Sequence, residues 1–106
     1  MGDDSYTPGM SEAAIRALIR DVPDFPTAGI MFKDITPVLA DHASFDAALD
    51  AMLLPYANLR VTKVAGIEAR GFVLAAPIAA KLGAGFIPIR KPGKLPREVV
   101  EQEYQL

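Results

Sequence analysis

VTKVAGIEARGFVLAAPIAAKLGAGFIPI, residues 61–89, is the stretch that decides the fold. Residues 61–67 are a β-prone run and predict a strand, and the apolar residues 85–89 predict a second one. Between them, residues 71–82 carry Lys81 as their only charge, which is typical of a helix buried on several sides. Strand, helix and strand within about 30 residues form a βαβ unit. Its strands are expected to be parallel and its crossover right-handed.

Two details of this unit bear on its extent. Pro77 leaves open whether the helix kinks there or whether a shorter helix has Pro77 in its first turn. Gly83 is suited to end the helix in a left-handed conformation. A parallel sheet normally has several strands and is covered on both faces. We therefore expect the beginning of a larger doubly wound α/β domain, with residues 99–106 as a candidate for a further strand.

The residues before this unit predict two helices and a structured loop. Ser11 is a suitable N-cap for a helix over about residues 12–20, and Ser44 for a second amphipathic helix that Pro55 ends or kinks. Residues 21–37 contain Pro and Gly between apolar residues. This pattern favours a structured loop whose apolar side chains are buried. The apolar side chains expected to be buried there are Phe25, Ile30, Met31, Phe32 and Ile35.

Composition excludes several classes of protein. A chain of 106 residues with 51% apolar residues indicates one folded domain rather than a disordered chain. Thirteen acidic against eleven basic residues do not suit a general nucleic-acid binder. The absence of Cys and the single His exclude Cys-ligated zinc and a multi-His metal site within one chain. Residues 1–10 are expected to be a flexible tail, and no stretch predicts a signal peptide or membrane span, so we expect a cytoplasmic protein without membrane partners.

The first candidate site is the tetrapeptide Glu68, Ala69, Arg70 and Gly71, which follows the first predicted strand and begins the helix. Ligands of open α/β sheets bind at such positions. Backbone N–H groups at a helix start favour anions, and the Arg70 guanidinium suits phosphate. A solvent-exposed turn that happens to contain Arg is the alternative, and the residues alone leave both open.

The second candidate is the basic segment after the second strand, formed by Arg90, Lys91, Lys94 and Arg97. Because parallel strands end at the same edge of a sheet, this segment starts beside Arg70. Convergence of these cations would suit a di- or triphosphate. The alternative is a solvated loop whose charges serve solubility.

The third candidate is Phe32 within GIMFKD, residues 29–34. A Phe beside Met31 and Lys33 suits stacking on a flat heterocycle. The residues alone favour the alternative, in which Phe32 is a core residue that anchors the loop.

Three segments, in this order and spacing, resemble the adenine phosphoribosyltransferase family of type I phosphoribosyltransferases. They are DFPTAGIMFKDITPVL (24–39), VAGIEARGF (64–72) and GFIPIRKPGKLPRE (85–98), and the resemblance runs from about Val22 to Leu106. It implies a parallel-sheet phosphoribosyltransferase core with an N-terminal hood. It also implies transfer of phosphoribose from phosphoribosyl pyrophosphate to adenine, giving AMP and pyrophosphate, with Mg²⁺ bound alongside the phosphoribosyl donor. Cytoplasmic homodimers serving purine salvage are implied as well.

The resemblance also implies roles for single residues. Phe32 would stack on adenine and the Met31 backbone would bind its edge, while Lys33 stands where many members have Arg. Glu68, Ala69, Arg70 and Gly71 would form the pyrophosphate loop, with a cis peptide between Glu68 and Ala69. Arg90, Lys91 and Lys94 would approach pyrophosphate, in part across the dimer interface. No protein ligand of a metal is assigned.

The sequence lacks the family's binding motif for ribose 5-phosphate. Members bind ribose 5-phosphate with two acidic residues at a strand end and a Thr- and Gly-rich loop, whereas the only adjacent acidic pair here is Asp3–Asp4. The catalytic acidic residue of the family would lie beyond Leu106. Residues 11–106 are therefore expected to be the N-terminal portion of a single, incomplete phosphoribosyltransferase domain. The alternative is a non-catalytic remnant that only binds adenine or AMP, or that only dimerises.

Overall fold

The computed structural model describes residues 10–96 and residue 100, and the chain divides into two compact units after Pro55. In the described part, the first unit contains helices and a hairpin, and the second contains a βαβ arrangement. The predicted tail (1–10) and the candidate strand (99–106) lie almost wholly outside the described residues. The single domain predicted over residues 11–106 stays a prediction. None of the helices in the described ranges has the length and apolar character needed to cross a bilayer.

Helix α1 spans Glu12–Leu18 and begins where the sequence predicts. The Ser11 side chain accepts a hydrogen bond from the Ala14 backbone N–H at 3.1 Å, which is the expected N-cap contact. The helix ends at Leu18 rather than at residue 20, because Ile19 is already extended and the chain continues into a strand.

The segment predicted as a loop over residues 21–37 contains a hairpin, so that prediction is wrong for its strands. Strands β1 (Arg20–Pro23) and β2 (Met31–Asp34) pair antiparallel. Asp24 has a φ of 57°, and its carboxylate accepts a hydrogen bond from the Gly29 N–H at 2.9 Å, which closes the connection. Pro23 lies at the end of β1, and Pro26 and Gly29 lie in the connection, where they leave the pairing intact.

Opposite charges face each other along this hairpin. Arg20 pairs with Asp34 in the strand register, and their side chains are 2.6 Å apart between Nη2 and Oδ2. Asp21 pairs with Lys33, with 2.5 Å between Oδ1 and Nζ. Facing charges of opposite sign stabilise a strand pair modestly, so charge rather than apolar alternation marks the register.

The predicted burial of apolar residues in this segment is wrong for three of the five. Phe25, Ile30 and Met31 are 50%, 47% and 53% exposed, while Phe32 and Ile35 are half-buried. A two-stranded ribbon is too narrow to enclose large side chains. The fully buried apolar positions of this unit lie on its helices instead.

Two further helices follow, α2 (Thr36–Ala40), which the sequence did not predict, and α3 (His42–Leu53). Helix α3 begins before the predicted cap, because the Asp41 carboxylate accepts the Ser44 N–H at 3.0 Å. The Ser44 side chain is fully buried and donates to the Val38 carbonyl at 2.7 Å. Ser44 therefore ties α3 to α2 rather than capping α3.

The core of the first unit lies between these helices. Val38 of α2 is buried with Ala47 and Leu49 of α3, and α1 packs against both helices. Helix α3 ends at Leu53, before Pro55, as predicted, and the chain continues as a short 3₁₀ turn.

Asp34 joins the hairpin to α2. Its Oδ1 accepts the Thr36 backbone N–H at 2.9 Å and the Thr36 hydroxyl at 2.7 Å. The Thr36 backbone N–H, followed by the Thr36 hydroxyl and Arg20, lowers the pKa of Asp34 from 3.8 to about 2. Hydrogen bonds to the charged form of a carboxyl act in this direction.

The pH dependence of this junction follows from the lowered pKa. The contribution of Asp34 to stability is present above its unfolded pKa of 3.8 and is lost as pH falls through about 2. A carboxyl-carbon NMR titration is expected to give a midpoint near 2 for Asp34, and Thr36→Val is expected to raise it. A midpoint near 3.8 in the unsubstituted chain would contradict this geometry.

The second unit confirms the predicted parallel βαβ arrangement. Strand β3 (Lys63–Ile67), helix α4 (Arg70–Leu82) and strand β4 (Gly85–Ile89) follow one another, and the strands pair parallel with Lys63 opposite Gly85 and Ile67 opposite Ile89. Strand β4 has the predicted bounds, whereas β3 begins two residues after the predicted start at residue 61.

Helix α4 runs through Pro77 as one element, so the shorter helix is excluded. Gly83 ends it with a φ of 71°, as predicted. Ala75 and Ala79 are buried, whereas Val73 is 43% exposed. The prediction that this helix is buried on several sides is therefore wrong for this unit. Helix α4 packs against β3 and β4 with one face.

Glycine permits the close approach of α4 to β3. A Cβ atom on Gly66 would lie 2.8 Å from both the Ala75 Cβ and the Gly71 carbonyl oxygen. Real Cβ atoms do not reach such distances. The position of α4, and so of the turn that precedes it, depends on Gly66 having no side chain.

Candidate functional site

The two parallel strands deliver the candidate anion-binding segments to one edge of the sheet. Ile67 and Ile89 are register partners at the last positions of β3 and β4. Beyond them, the Glu68 N–H donates to the Ile89 carbonyl at 3.0 Å. Glu68 and Arg90 thus leave the sheet side by side, as the sequence predicts for the turn and the basic segment.

The turn of residues 68–71 leads directly into α4. The peptide bond between Glu68 and Ala69 is cis, which confirms the expectation drawn from the family resemblance. Ala69 is the N-cap residue and has no side-chain oxygen to cap the helix, and Arg70 is its first residue and is exposed. An uncapped helix start of this kind suits an anion.

The Glu68 carboxylate connects the turn to the basic segment. Its Oε1 accepts the Lys91 backbone N–H at 2.8 Å and lies 3.3 Å from Arg90 Nε. The Lys91 N–H, followed by the Arg90 guanidinium, lowers the pKa of Glu68 below its ordinary value. Glu68 therefore stays ionised at neutral pH.

The Arg90 side chain is held from three sides. Besides Glu68, it contacts the Lys94 carbonyl, with 3.2 Å from Nη1 to the oxygen, and its guanidinium carbon lies 6.0 Å from the centre of the Phe72 ring. The Phe72 ring in turn meets Phe86 edge to face, with 5.7 Å between centres. Arg90 is thus held by Glu68 after β3, by Phe72 of α4 and by Lys94 of its own loop.

The rest of the basic segment folds back as a turn. The Lys94 N–H donates to the Lys91 carbonyl at 3.2 Å, and Gly93 adopts a φ of 82°. Lys91 and Lys94 are exposed. Arg97, the fourth predicted cation, lies outside the described residues.

The structure brings Glu68, Arg90 and Lys91 together, and it places Arg70 at the helix start two residues after Glu68. The sequence reasoning treated Glu68 only as a member of the turn and missed its contacts with the basic segment. The available signal was an acidic residue directly after one parallel strand and a basic residue directly after its neighbour.

The candidate adenine-binding residues lie in the first unit, on β2. Phe32 is half-buried, and its ring meets Phe25 edge to face at 5.2 Å between centres, with an interplanar angle of 68°. Met31 beside it is exposed, and Lys33 is paired with Asp21 across the hairpin. Phe32 is thus neither a fully buried core residue nor a freely exposed one.

Comparison with known proteins gives a consistent result. The chain is 60% identical over 94 residues to the adenine phosphoribosyltransferase of Myxococcus xanthus. The aligned region covers 89% of this chain and 51% of that protein. The crystal structure of adenine phosphoribosyltransferase from Rhodothermus marinus matches with a TM-score of 0.83 and 49% identity, over 89% of this chain and 53% of that one. The enzyme from Giardia lamblia, solved with 9-deazaadenine, matches with a TM-score of 0.82 and 46% identity, over 91% and 55%.

No protein-family profile matches the chain. The chain spans about half the length of the curated relatives it matches. Identity at this level, over nearly nine-tenths of the chain and with the same α/β arrangement, confirms the resemblance carried by the three sequence segments. The chain is thus homologous to one part of the adenine phosphoribosyltransferases, and its α/β arrangement is that of their type I phosphoribosyltransferase fold.

Proposed function

We propose that this chain is part of an enzyme that transfers phosphoribose from phosphoribosyl pyrophosphate to adenine and releases AMP and pyrophosphate. The observation that carries the proposal is the juxtaposition of the turn at residues 68–71 with the basic segment at residues 90–94. Both follow the carboxyl ends of parallel strands, where ligands of such sheets bind. The relatives named for this reaction support the choice of substrate.

The turn and the basic segment suit the leaving group of this reaction. Pyrophosphate gains negative charge as the bond to ribose breaks, and positioned cations stabilise that charge. The Arg70 guanidinium, the Lys91 and Lys94 ammonium groups and the backbone of Ala69 and Gly71 are the groups that we propose bind it. The ribose carbon becomes cation-like in such a transfer, so the protein acts mainly by holding and neutralising its substrates.

For the purine we propose the residues of β2. The Phe32 ring would stack on adenine, and the Met31 backbone would bind its edge. Lys33 would lie near the base, although its ammonium is a point charge rather than the planar fork of Arg, and Asp21 already pairs with it. The Giardia enzyme solved with 9-deazaadenine supports a purine ligand for the family.

Mg²⁺ is proposed to enter with the phosphoribosyl donor. Among the described residues, no group of three or more His, Asp or Glu side chains could hold a metal ion. Mg²⁺ often binds through substrate phosphates and keeps several waters, which fits a site built from cations and backbone groups. When bound, Mg²⁺ would neutralise charge on the diphosphate.

A homodimer, a cytoplasmic location and a role in purine salvage complete the proposal, and all three are supported by the family resemblance alone. A second candidate is a chain that binds adenine or AMP without catalysing transfer. It requires only the residues of β2 that we propose for the purine, Phe32 and Met31.

A turnover assay with labelled adenine, phosphoribosyl pyrophosphate and Mg²⁺ tests the proposal, with calorimetry of adenine and AMP beside it. Formation of AMP supports the transferase. Binding of adenine or AMP without turnover supports the second candidate for this chain. A purified protein that is folded by circular dichroism, but that neither forms AMP nor binds adenine or AMP, would contradict both candidates.

Phe32→Ala is expected to weaken adenine binding by about tenfold or more, because a stacked ring contributes about 1–3 kcal/mol. Calorimetry with adenine measures the change. Phe32→Tyr is the matched control, since it keeps the ring and its edge contact with Phe25. Equal affinities of the Ala and Tyr variants would show that the ring does not stack on the base.

A further inference from the structure

We propose that Glu68 is a positioning residue that orders the basic segment of residues 90–94 and sets its affinity for the anion without contacting that anion. This inference rests on the proposed function, because it concerns how the pyrophosphate-binding groups are held. It changes the role that the family resemblance gives to Glu68, from a member of the binding loop to the residue that fixes its neighbour.

One carboxylate oxygen of Glu68 contacts both residues that follow β4. Glu68 Oε1 accepts the Lys91 N–H at 2.8 Å and lies 3.3 Å from Arg90 Nε. The Glu68 side chain is only 20% exposed. A single oxygen therefore contacts the side chain of Arg90 and the backbone of Lys91, the first two residues after β4.

The contacts of Glu68 extend through Arg90 to Lys94, at the end of the basic segment. The Arg90 guanidinium reaches from Glu68 to the Lys94 carbonyl, 3.2 Å from Nη1. The Lys94 N–H also closes a turn onto Lys91 at 3.2 Å. Through Arg90, Glu68 thus influences the whole segment and with it the exposed Lys91 and Lys94 ammonium groups.

The negative charge of Glu68 argues against a direct contact with the anion. A carboxylate at an anion site repels the anion, so a direct contact between Glu68 and pyrophosphate would weaken binding. Its ionic and hydrogen-bonding capacity is directed instead at Arg90 and Lys91. An acid at this position is explained by what it orders, and Arg90 compensates its charge.

Two variants of Glu68 separate positioning from charge. Glu68→Gln and Glu68→Ala remove the same negative charge, but only Gln keeps a carbonyl oxygen that accepts the Lys91 N–H. The full chain is used, with inorganic pyrophosphate as the probe in calorimetry. Hydrogen exchange of the Lys91 amide, followed by NMR without any ligand, is the second measurement.

We expect Glu68→Ala to bind pyrophosphate about fivefold to tenfold more weakly than Glu68→Gln, the range that one net hydrogen bond allows. The Lys91 amide is expected to exchange about tenfold faster in the Ala variant and to be largely protected in the Gln variant. Equal affinities, or equal exchange rates, in the two variants would overturn the positioning role.

The two proposals fail in different ways. If the unsubstituted chain does not bind pyrophosphate, the proposed function fails, while the ligand-free exchange of the Lys91 amide still decides whether Glu68 orders the segment. If the unsubstituted chain binds pyrophosphate and both variants bind it equally, the function stands and the role of Glu68 is wrong.

Discussion

Gly66→Ala is expected to destabilise the βαβ unit by about 3 kcal/mol, at the upper end of overpacking effects. The added Cβ would lie 2.8 Å from the Ala75 Cβ and from the Gly71 carbonyl oxygen, and 3.0 Å from Phe86 Cε1. The first two neighbours belong to α4 close to its backbone, so relief requires the helix to move away from β3. A lower urea midpoint, followed by far-UV circular dichroism, measures the loss.

Gly85→Ala is the matched control on the neighbouring strand. Its Cβ would meet the Lys63 Nζ at 3.3 Å and the Lys63 Cδ at 3.4 Å, which belong to a flexible side chain that can move. Its effect is expected to stay within about 0.5 kcal/mol. Equal urea midpoints for the two variants would show that α4 does not lie against Gly66 as closely as the structure places it.

The βαβ unit could be predicted because each local signal agrees with the others. The apolar runs give the strands, the nearly uncharged segment gives the helix, and Gly83 ends it. Gly66 has a packing role that only the structure shows, since the need for a missing Cβ depends on which element crosses over it. Local pattern therefore fixes the type of element, and packing fixes its exact placement.

The hairpin could not be predicted from apolar periodicity. Its register is marked by two facing charge pairs, Arg20 with Asp34 and Asp21 with Lys33, and no apolar alternation accompanies them. The start of α3 was misplaced for a related reason. Asp41 and Ser44 are both good capping residues, and the choice depends on the burial of Ser44, whose hydroxyl donates to the Val38 carbonyl.

At the candidate site too, the sequence predicts the position, and only the structure shows the contacts. Its position at the carboxyl edge followed from the order of strands and helix, and the cations of residues 90–94 were visible as charges. The contact between Glu68 and Arg90 was not predicted, because residues 22 positions apart meet only once the parallel register is known. Chain order thus locates the site, whereas register determines which of its charges pair.

Arg70→Ala is expected to weaken pyrophosphate binding by on the order of 30-fold, within the range for hydrogen bonds between charged partners. If the protein forms AMP, turnover is expected to fall as well. Arg70 is the first residue of α4, where the positive end of the helix dipole disfavours a cation by about 0.3–1 kcal/mol. A bound anion at this helix start would offset that cost.

The affinity of Arg70→Ala for pyrophosphate is expected to fall, and its urea midpoint is measured beside the affinity to show that the variant is folded. Arg60→Ala, which removes the same charge from an exposed residue before β3, is expected to leave affinity almost unchanged. Arg70→Lys is expected to give an intermediate affinity, because Lys keeps the charge but loses the planar fork. Undiminished affinity in Arg70→Ala, or an equal loss in Arg60→Ala, would contradict a specific role for Arg70 and would leave only the net positive charge of the basic segment to attract the anion.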